Sequence, residues 1–343
     1  MRVMLVTNGL GYGGAERIVE ALALALHEAH DVHVVATTRG GPVRDNLRRH
    51  GVPVSVLSIR SRVDFAIPLK IANVARRFRP DVLHSHLAVA DIATAMARPF
   101  VPSARIMATV HNRGIELDTF KRTLWHRALR RFDRIEAVSD SVQASLAGLP
   151  VDVVVAPPSL VDLDGAMARD EARRALGVGD DEKLVLGVGR LAPIKGFDVL
   201  AAAKVNARVA VIGDGPERDR LGALELLGAR EDAARLLAAA DIVVCPSRSE
   251  GFPQVPLQAM AAGVPVVGTD VPGLREVVEP DVTGLLVPPE DPAALAAALE
   301  ALLDDPARRR TLGEGGRRRL VERGLTRDAM VTRTLDAYRA LLG

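Results

Sequence analysis

The chain has 343 residues, 48% of them hydrophobic, and a formal net charge of +2, which is enough for two domains with buried cores and excludes a disordered chain. So balanced a charge argues against a nucleic-acid partner, and a single cysteine, Cys245, excludes an internal disulfide. With 3% aromatic residues, aliphatic side chains must fill the cores.

The N-terminus enters a strand pattern at once, Arg2–Thr7, with no basic region, apolar stretch and small-residue cleavage site ahead of it. No apolar run reaches the ~18 residues of a membrane-spanning helix. The expected location is therefore the cytoplasm. Further strands are predicted at Val32–Thr37, Pro53–Leu57, Asp81–His84, Arg105–Val110, Arg134–Val138 and Val151–Ala156, with helices such as Gly14–Glu28 and Asp64–Phe78 between them. Pro157-Pro158-Ser159 opens a linker. A second series follows at Lys183–Gly189, Arg208–Ile212, Asp241–Cys245, Val264–Gly268 and Gly284–Val287. Strand–helix alternation implies parallel sheets covered on both faces. Runs such as Val185-Leu186-Gly187-Val188, apolar throughout, suit strands buried on both sides. The fold class is α/β, the same doubly wound architecture used twice. The last segment, from Thr326, has an amphipathic helical pattern.

Gly9-Leu10-Gly11-Tyr12-Gly13-Gly14 follows the first strand and matches the dinucleotide fingerprint. The fingerprint also requires an acid at the end of the second strand, and that strand ends Ala36-Thr37-Thr38. The glycines still allow close backbone approach of an anionic or sugar group to a helix N-terminus, or simply a tight turn. His84 and His86 share a strand face by period two. Two ligands are too few for a metal, and a place lining the site is expected for them. Asp162-Leu163-Asp164 has the spacing of a metal-binding motif but no second ligand cluster nearby, so it reads as a surface turn. Over 120–132, Phe120, Leu124, Ala128 and Phe132 fall on one helix face, and Lys121, Arg122, Arg127, Arg130 and Arg131 crowd the rest. Such a helix either packs its stripe on the sheet or lies on an anionic membrane.

The second half carries three glycine-marked strand ends: Gly189-Arg190-Leu191 with Lys195-Gly196, Gly213-Asp214-Gly215-Pro216, and Ser247-Arg248-Ser249-Glu250-Gly251-Phe252-Pro253. In a parallel sheet these ends face one crevice. A guanidinium, an ammonium and free backbone N–H groups there suit a diphosphate. Glu250, before a helix beginning near Pro253, and Gln258 within it offer acceptors to sugar hydroxyls; a helix-start carboxylate is the plainer role for Glu250.

The runs Pro246–Pro253 and Gln258–Val267, with Gly13–Arg17, Val188–Leu191, Lys195-Gly196, Gly213–Pro216 and Thr283–Val287 in the same order, resemble glycosyltransferase family four (group 1). The resemblance implies the GT-B architecture, two Rossmann-like domains facing a central cleft. It implies an acceptor-binding domain at 1–162, a nucleotide-sugar-binding domain at 163–325 and a helix at 326–343 packing back on the first. It implies a retaining, metal-independent hexosyltransferase without a cofactor, using a nucleotide-sugar, a UDP-sugar before a GDP-sugar. The acceptor would be a glycan or lipid-linked molecule of cell-envelope synthesis. The catalytic set would be Glu250, His111, Arg190 and Lys195. Gly13, Gly14, Gly213, Gly215, Gly251 and Gln258, with the backbone of Phe252, Pro253, Gln254 and Val255, would complete the donor site. The segment 120–132 would add a peripheral contact with an anionic membrane on its inner face.

The chain departs from the family pattern in three places. Gln258 replaces the second of its paired glutamates, the linker lacks an Asn-Gly before Asp162, and Leu221–Leu237 lacks the small strand expected before a Leu-Gly-Ala turn. An NAD-dependent oxidoreductase and a non-catalytic sugar-nucleotide-binding protein stand as alternatives.

Overall fold

Thirteen strands form among the residues described by a computed structural model of the chain, namely 1–11, 13–57, 66–114, 117–163, 165 and 167–343. The first seven are β1 (Arg2–Gly9), β2 (Asp31–Arg39), β3 (Val54–Val56), β4 (Val82–His86), β5 (Arg105–Val110), β6 (Arg134–Ala137) and β7 (Val153–Val155). They make one sheet in the order β3-β2-β1-β4-β5-β6-β7. The others are β8 (Leu184–Val188), β9 (Arg208–Ile212), β10 (Glu225–Leu226), β11 (Ile242–Cys245), β12 (Val266–Thr269) and β13 (Gly284–Val287). They make a second sheet in the order β10-β9-β8-β11-β12-β13. Every strand pair is parallel. Both sheets are thus doubly wound, each reversing direction beside its first strand. Val3–Val6, Leu184–Leu186 and Ile242–Val244 have 1% exposure or less, which explains why these strands are apolar throughout.

The chain divides into two units, Met1–Pro158 with Arg327–Gly343, and Ser159–Thr326. Ser159 is fully buried and donates to the Leu325 carbonyl at 2.8 Å, so the second unit closes on itself at its two ends. The helix Arg327–Leu342 belongs to the first unit. Its Tyr338 is fully buried, with Oη 2.7 Å from His84 Nδ1 on β4, and Arg333 donates to the Pro157 carbonyl at 2.7 Å.

Several expectations need correction. The small strand read as missing is present: β10 pairs with β9 through Glu225 and Leu226. Its sequence, one acid and one leucine, carries no apolar run. The connection from β9 to β10, residues 213–224, holds one 3-10 turn, Arg218–Arg220, and no α-helix. The helix expected over Asp64–Phe78 runs Ile67–Phe78, and its expected start lies outside the described residues, as does Asp164 of the Asp-x-Asp spacing.

The basic segment forms the helix Thr119–Leu129, started by Asp118, whose carboxylate accepts from the Lys121 N–H. Its stripe packs only in part. Ala128 and Phe132 are buried, but Phe120 is 77% and Leu124 40% exposed. The buried face is instead Trp125, Ala128 and Leu129. The cause is polar. Trp125 Nε1 donates at 2.8 Å to Asp91 Oδ2, which is fully buried on the helix Ala88–Ala97. Ser85 Oγ donates to the other oxygen at 2.6 Å. Burial lifts the Asp91 pKa to about 7 against these two hydrogen bonds. Gly114 sits at φ +66, where a Cβ would lie 2.7 Å from Trp125 Cζ3, so glycine there leaves the ring its room.

Trp125→Phe removes the donor and keeps an aromatic ring in the site, though a smaller one. Loss of one hydrogen bond to a buried carboxylate should lower unfolding stability by about 1.5–3 kcal/mol, read from urea denaturation of the first unit's transition.

Candidate active site

In the second sheet the order reverses between β8 and β11. Connections from these neighbours leave in opposite directions, so the loops at their C-terminal ends part and leave a crevice. The loop after β8 carries Arg190 and Lys195, and the loop after β11 carries Ser247 to Pro253. Lys195 Nζ donates to Glu250 Oε1 at 2.6 Å. Ser247 Oγ donates to the same oxygen at 2.6 Å. Both donors fall on Oε1, and Oε2 has no hydrogen-bond partner among the described residues. Burial works against the Lys195 ammonium, yet the charge and hydrogen bond of Glu250 outweigh it and hold the Lys195 pKa above its ordinary value.

Glycines let these loops meet. Gly196 adopts φ +64, and a Cβ on it would lie 2.0 Å from the Pro246 carbonyl oxygen. A Cβ on Gly213 would lie 1.8 Å from the Gly189 oxygen, and one on Gly215 2.3 Å from the Leu191 oxygen. Backbone packing between the β8 and β9 loops therefore accounts for Gly213 and Gly215 with no ligand invoked.

Arg248 binds the crevice wall together. Its guanidinium reaches Asp198 at 2.8 and 2.7 Å, Glu290 at 2.9 Å and the Pro193 carbonyl, and its backbone N–H donates to the Ile194 carbonyl. These partners lie after β8 and β13, so one side chain joins three loops. Its pKa is raised, the hydrogen bonds to Asp198 being the largest cause. Sequence reasoning gave Arg248 no role, although it stands between Ser247 and Glu250 in the motif.

Arg190 is exposed, and its side chain makes no hydrogen bond or ion pair among the described residues. Its charge is felt at Lys195, where it opposes the ammonium. Gly251 is partly buried, and Phe252 and Pro253 are buried. Pro253 precedes the helix Gln254–Ala261 and makes no side-chain cap for it; the Val255 N–H lies in the first turn, and Pro256 has none. The Gln254 side chain is engaged elsewhere, its Oε1 accepting from the Leu160 N–H at 2.9 Å. Gln258 is partly buried, and its side-chain amide makes no hydrogen bond among the described residues. Burial pushes the Cys245 thiol up to about 12, so it stays protonated at neutral pH.

The remaining expected residues lie in the first unit. Gly13 precedes the helix Gly14–His27, which has no side-chain cap. A Cβ at Gly14 would meet nothing within 4 Å, so packing does not explain glycine there. β2 ends Thr37-Thr38-Arg39, still without an acid, and both threonine hydroxyls donate to the Asn8 carbonyl. His111 follows β5 and is partly buried, with Nε2 2.9 Å from His86 Nδ1. His84 and His86 do not line an open site. They are 1% and 0% exposed, and both nitrogens of His84 are engaged, by Tyr338 and by Thr109 at 2.7 Å.

Two doubly wound parallel units, one with a cation–carboxylate crevice at its reversal point, define a protein of the GT-B class. Anabaena HepE, solved in complex with UDP and glucose, has this fold: the TM-score is 0.86, covering 99% of this chain and 100% of that one at 21% identity. Residues 168–319 match the family described as glycosyl transferases group 1, and residues 12–164 that described as glycosyltransferase family 4. A GDP-mannose-dependent alpha-mannosyltransferase of Mycolicibacterium smegmatis is 33% identical over 343 residues, 92% of this chain and 90% of the relative. The N-acetyl-alpha-D-glucosaminyl L-malate synthase of Bacillus anthracis is 29% identical, with the same coverage of each. The chain belongs to the group 1 glycosyltransferases.

Removing one member of the crevice pair leaves the other without its partner. Glu250→Ala should destabilise the second unit by about 1.5–3 kcal/mol, and Glu250→Gln, which still accepts from Ser247 and Lys195, by less. Urea titrations of both variants with Lys195→Met and the double mutant measure the coupling; equal stability of Glu250→Ala and wild type would contradict the pairing.

Proposed function

We propose that the protein is a retaining hexosyltransferase that takes its sugar from a nucleoside diphosphate sugar, with no cofactor or bound metal, and passes it to a glycan or lipid-linked acceptor of cell-envelope synthesis. The observation that carries this is the crevice after β8 and β11. An unpaired guanidinium, Arg190, stands near a paired ammonium, Lys195, on the loop that faces the N-terminus of the helix Gln254–Ala261. Fixed positive groups of this kind stabilise the charge that develops on a departing diphosphate. Glu250 keeps one carboxylate oxygen for a sugar hydroxyl, and Gln258 an amide for a ribose. UDP is the nucleotide proposed, as in HepE, whose structure holds it; the mycobacterial relative's name specifies GDP-mannose.

A thermal-shift and turnover panel of UDP-, GDP- and ADP-sugars tests this, since a ligand of the folded state raises its apparent stability. The expected result is a shift with UDP-sugars and transfer that persists in EDTA. Arg190→Ala and Lys195→Ala should each weaken UDP binding by about 1.5–3 kcal/mol in calorimetry. Wild-type affinity in both would remove the site. Binding without transfer or hydrolysis would favour the sugar-nucleotide-binding protein.

The acceptor reading extends to the membrane. No described helix is long and apolar enough to cross one. The helix Thr119–Leu129 instead exposes Phe120 and Leu124 beside an open groove lined by Arg122, Thr123, His126, Arg127 and Arg130. Trp125 is fully buried and takes no part. Attraction of about 1 kcal/mol per basic residue near an anionic surface, screened by salt, would hold this face to a cytoplasmic leaflet. Flotation with phosphatidylserine vesicles at low salt is expected. Changing Arg122, Arg127 and Arg130 to Glu should abolish it, and Phe120→Ser with Leu124→Ser should weaken it; failure of the wild type to float would set the membrane contact aside.

A further inference from the structure

The first unit also reverses its strand order, between β1 and β4, and a row of polar side chains stands at that point. Thr7 on β1, His86 on β4, Thr109 on β5 and Glu136 on β6 are in register across four strands. All are buried. Strand partners in register point to one face of a sheet, so these side chains share a face. His86 lies within it, fully buried, and its ring centroid is 4.2 Å from that of His84.

His86 has an asymmetric environment. Its Nδ1 is 2.9 Å from His111 Nε2. Among the described residues its Nε2 is buried with no hydrogen-bond partner, and the Thr7 hydroxyl, in register with it, makes no bond to it. Burial holds the His86 pKa well below its ordinary value and that of His111 at about 4, so at neutral pH each ring carries one proton.

Two arrangements then satisfy the bond. If His111 Nε2 carries the shared proton, His86 must hold its own on Nε2, an N–H buried with nothing to receive it. If His86 Nδ1 carries it, Nε2 is a bare ring nitrogen and no donor is stranded. Orphaned buried N–H groups are the rarer and costlier outcome. In the second arrangement His111 has its proton on Nδ1. Among the described residues that nitrogen has no partner, and the residue is partly exposed.

We propose that His86 is a positioning residue that fixes His111 as the Nδ1–H tautomer, so that His111 meets its ligand as a hydrogen-bond donor and not as a base. This rests on the reading of His111 as a substrate contact. A donor there suits a sugar hydroxyl oxygen or another oxygen of a bound nucleotide-sugar.

The tautomer is measured directly, without substrate. Long-range ¹H–¹⁵N correlation spectra of the full chain with ¹⁵N-histidine at pH 7 should show protonated Nδ1 and bare Nε2 for both His86 and His111. A protonated Nε2 on His86 would overturn the proposal. In kinetics with the nucleotide-sugar turned over fastest in the panel above, His86→Phe should lower kcat about tenfold, the loss of one oriented hydrogen bond, with donor KM little changed. His86→Asn, whose amide N–H replaces Nδ1–H, should restore most of the rate and keep the His111 tautomer. Equal rates in Phe and Asn variants that both fold would sink the assignment. Absence of transfer by the wild type would instead count against the proposed function and leave the spectral result standing.

Discussion

Everything at the crevice follows from one constraint on parallel sheets. A parallel sheet can grow on both sides of its first strand only if the connection reverses direction, and at the reversal two adjacent strand ends lose the loops that would cover them. In the second unit these ends belong to β8 and β11. Lys195 and Glu250, 55 residues apart in sequence, meet for that reason. The same reversal in the first unit falls beside β1 and β4, where Thr7 and His86 are partners in register. Each unit therefore places unusual polar groups at the strands where its own order reverses.

Much of the crevice is held by contacts that resist change. Carbonyls at Gly189, Leu191 and Pro246 press against glycines. A side chain at Gly213 or Gly215 would part the β8 and β9 loops before it could touch a ligand. Arg248 adds an electrostatic tie among three loops, partly exposed and open to screening by salt. The crevice is rigid where backbone meets backbone and adjustable where ions meet.

The sequence made legible what depends on local pattern. Apolar runs located the strands, and glycines at their ends marked the loops that carry Arg190, Lys195 and Glu250. It hid what depends on distant partners. Four-residue spacing puts Phe120 and Leu124 on one face with Ala128 and Phe132, and cannot show which of them the helix Thr119–Leu129 buries. Asp91, 34 residues away, decided the matter by accepting from Trp125. β10 carries no such signal because two residues, Glu225 and Leu226, form no periodic run; the edge of β9 recruits them. Spacing placed His84 and His86 on one strand face, but could not say that Tyr338 would cover that face.

That cover has a consequence for how the molecule is made. His84 and Tyr338 are separated by 254 residues, and the first unit takes its closing helix from the end of the chain. On the ribosome the second unit, one unbroken segment, is complete before the first has its last layer. His84 waits through that interval without the hydroxyl it bonds. Contacts of such long separation are slow to form, and exposed sheet in the meantime invites misassembly. A histidine there, where an apolar side chain would otherwise stand, gives the unfinished sheet a group that water can bond until the helix arrives.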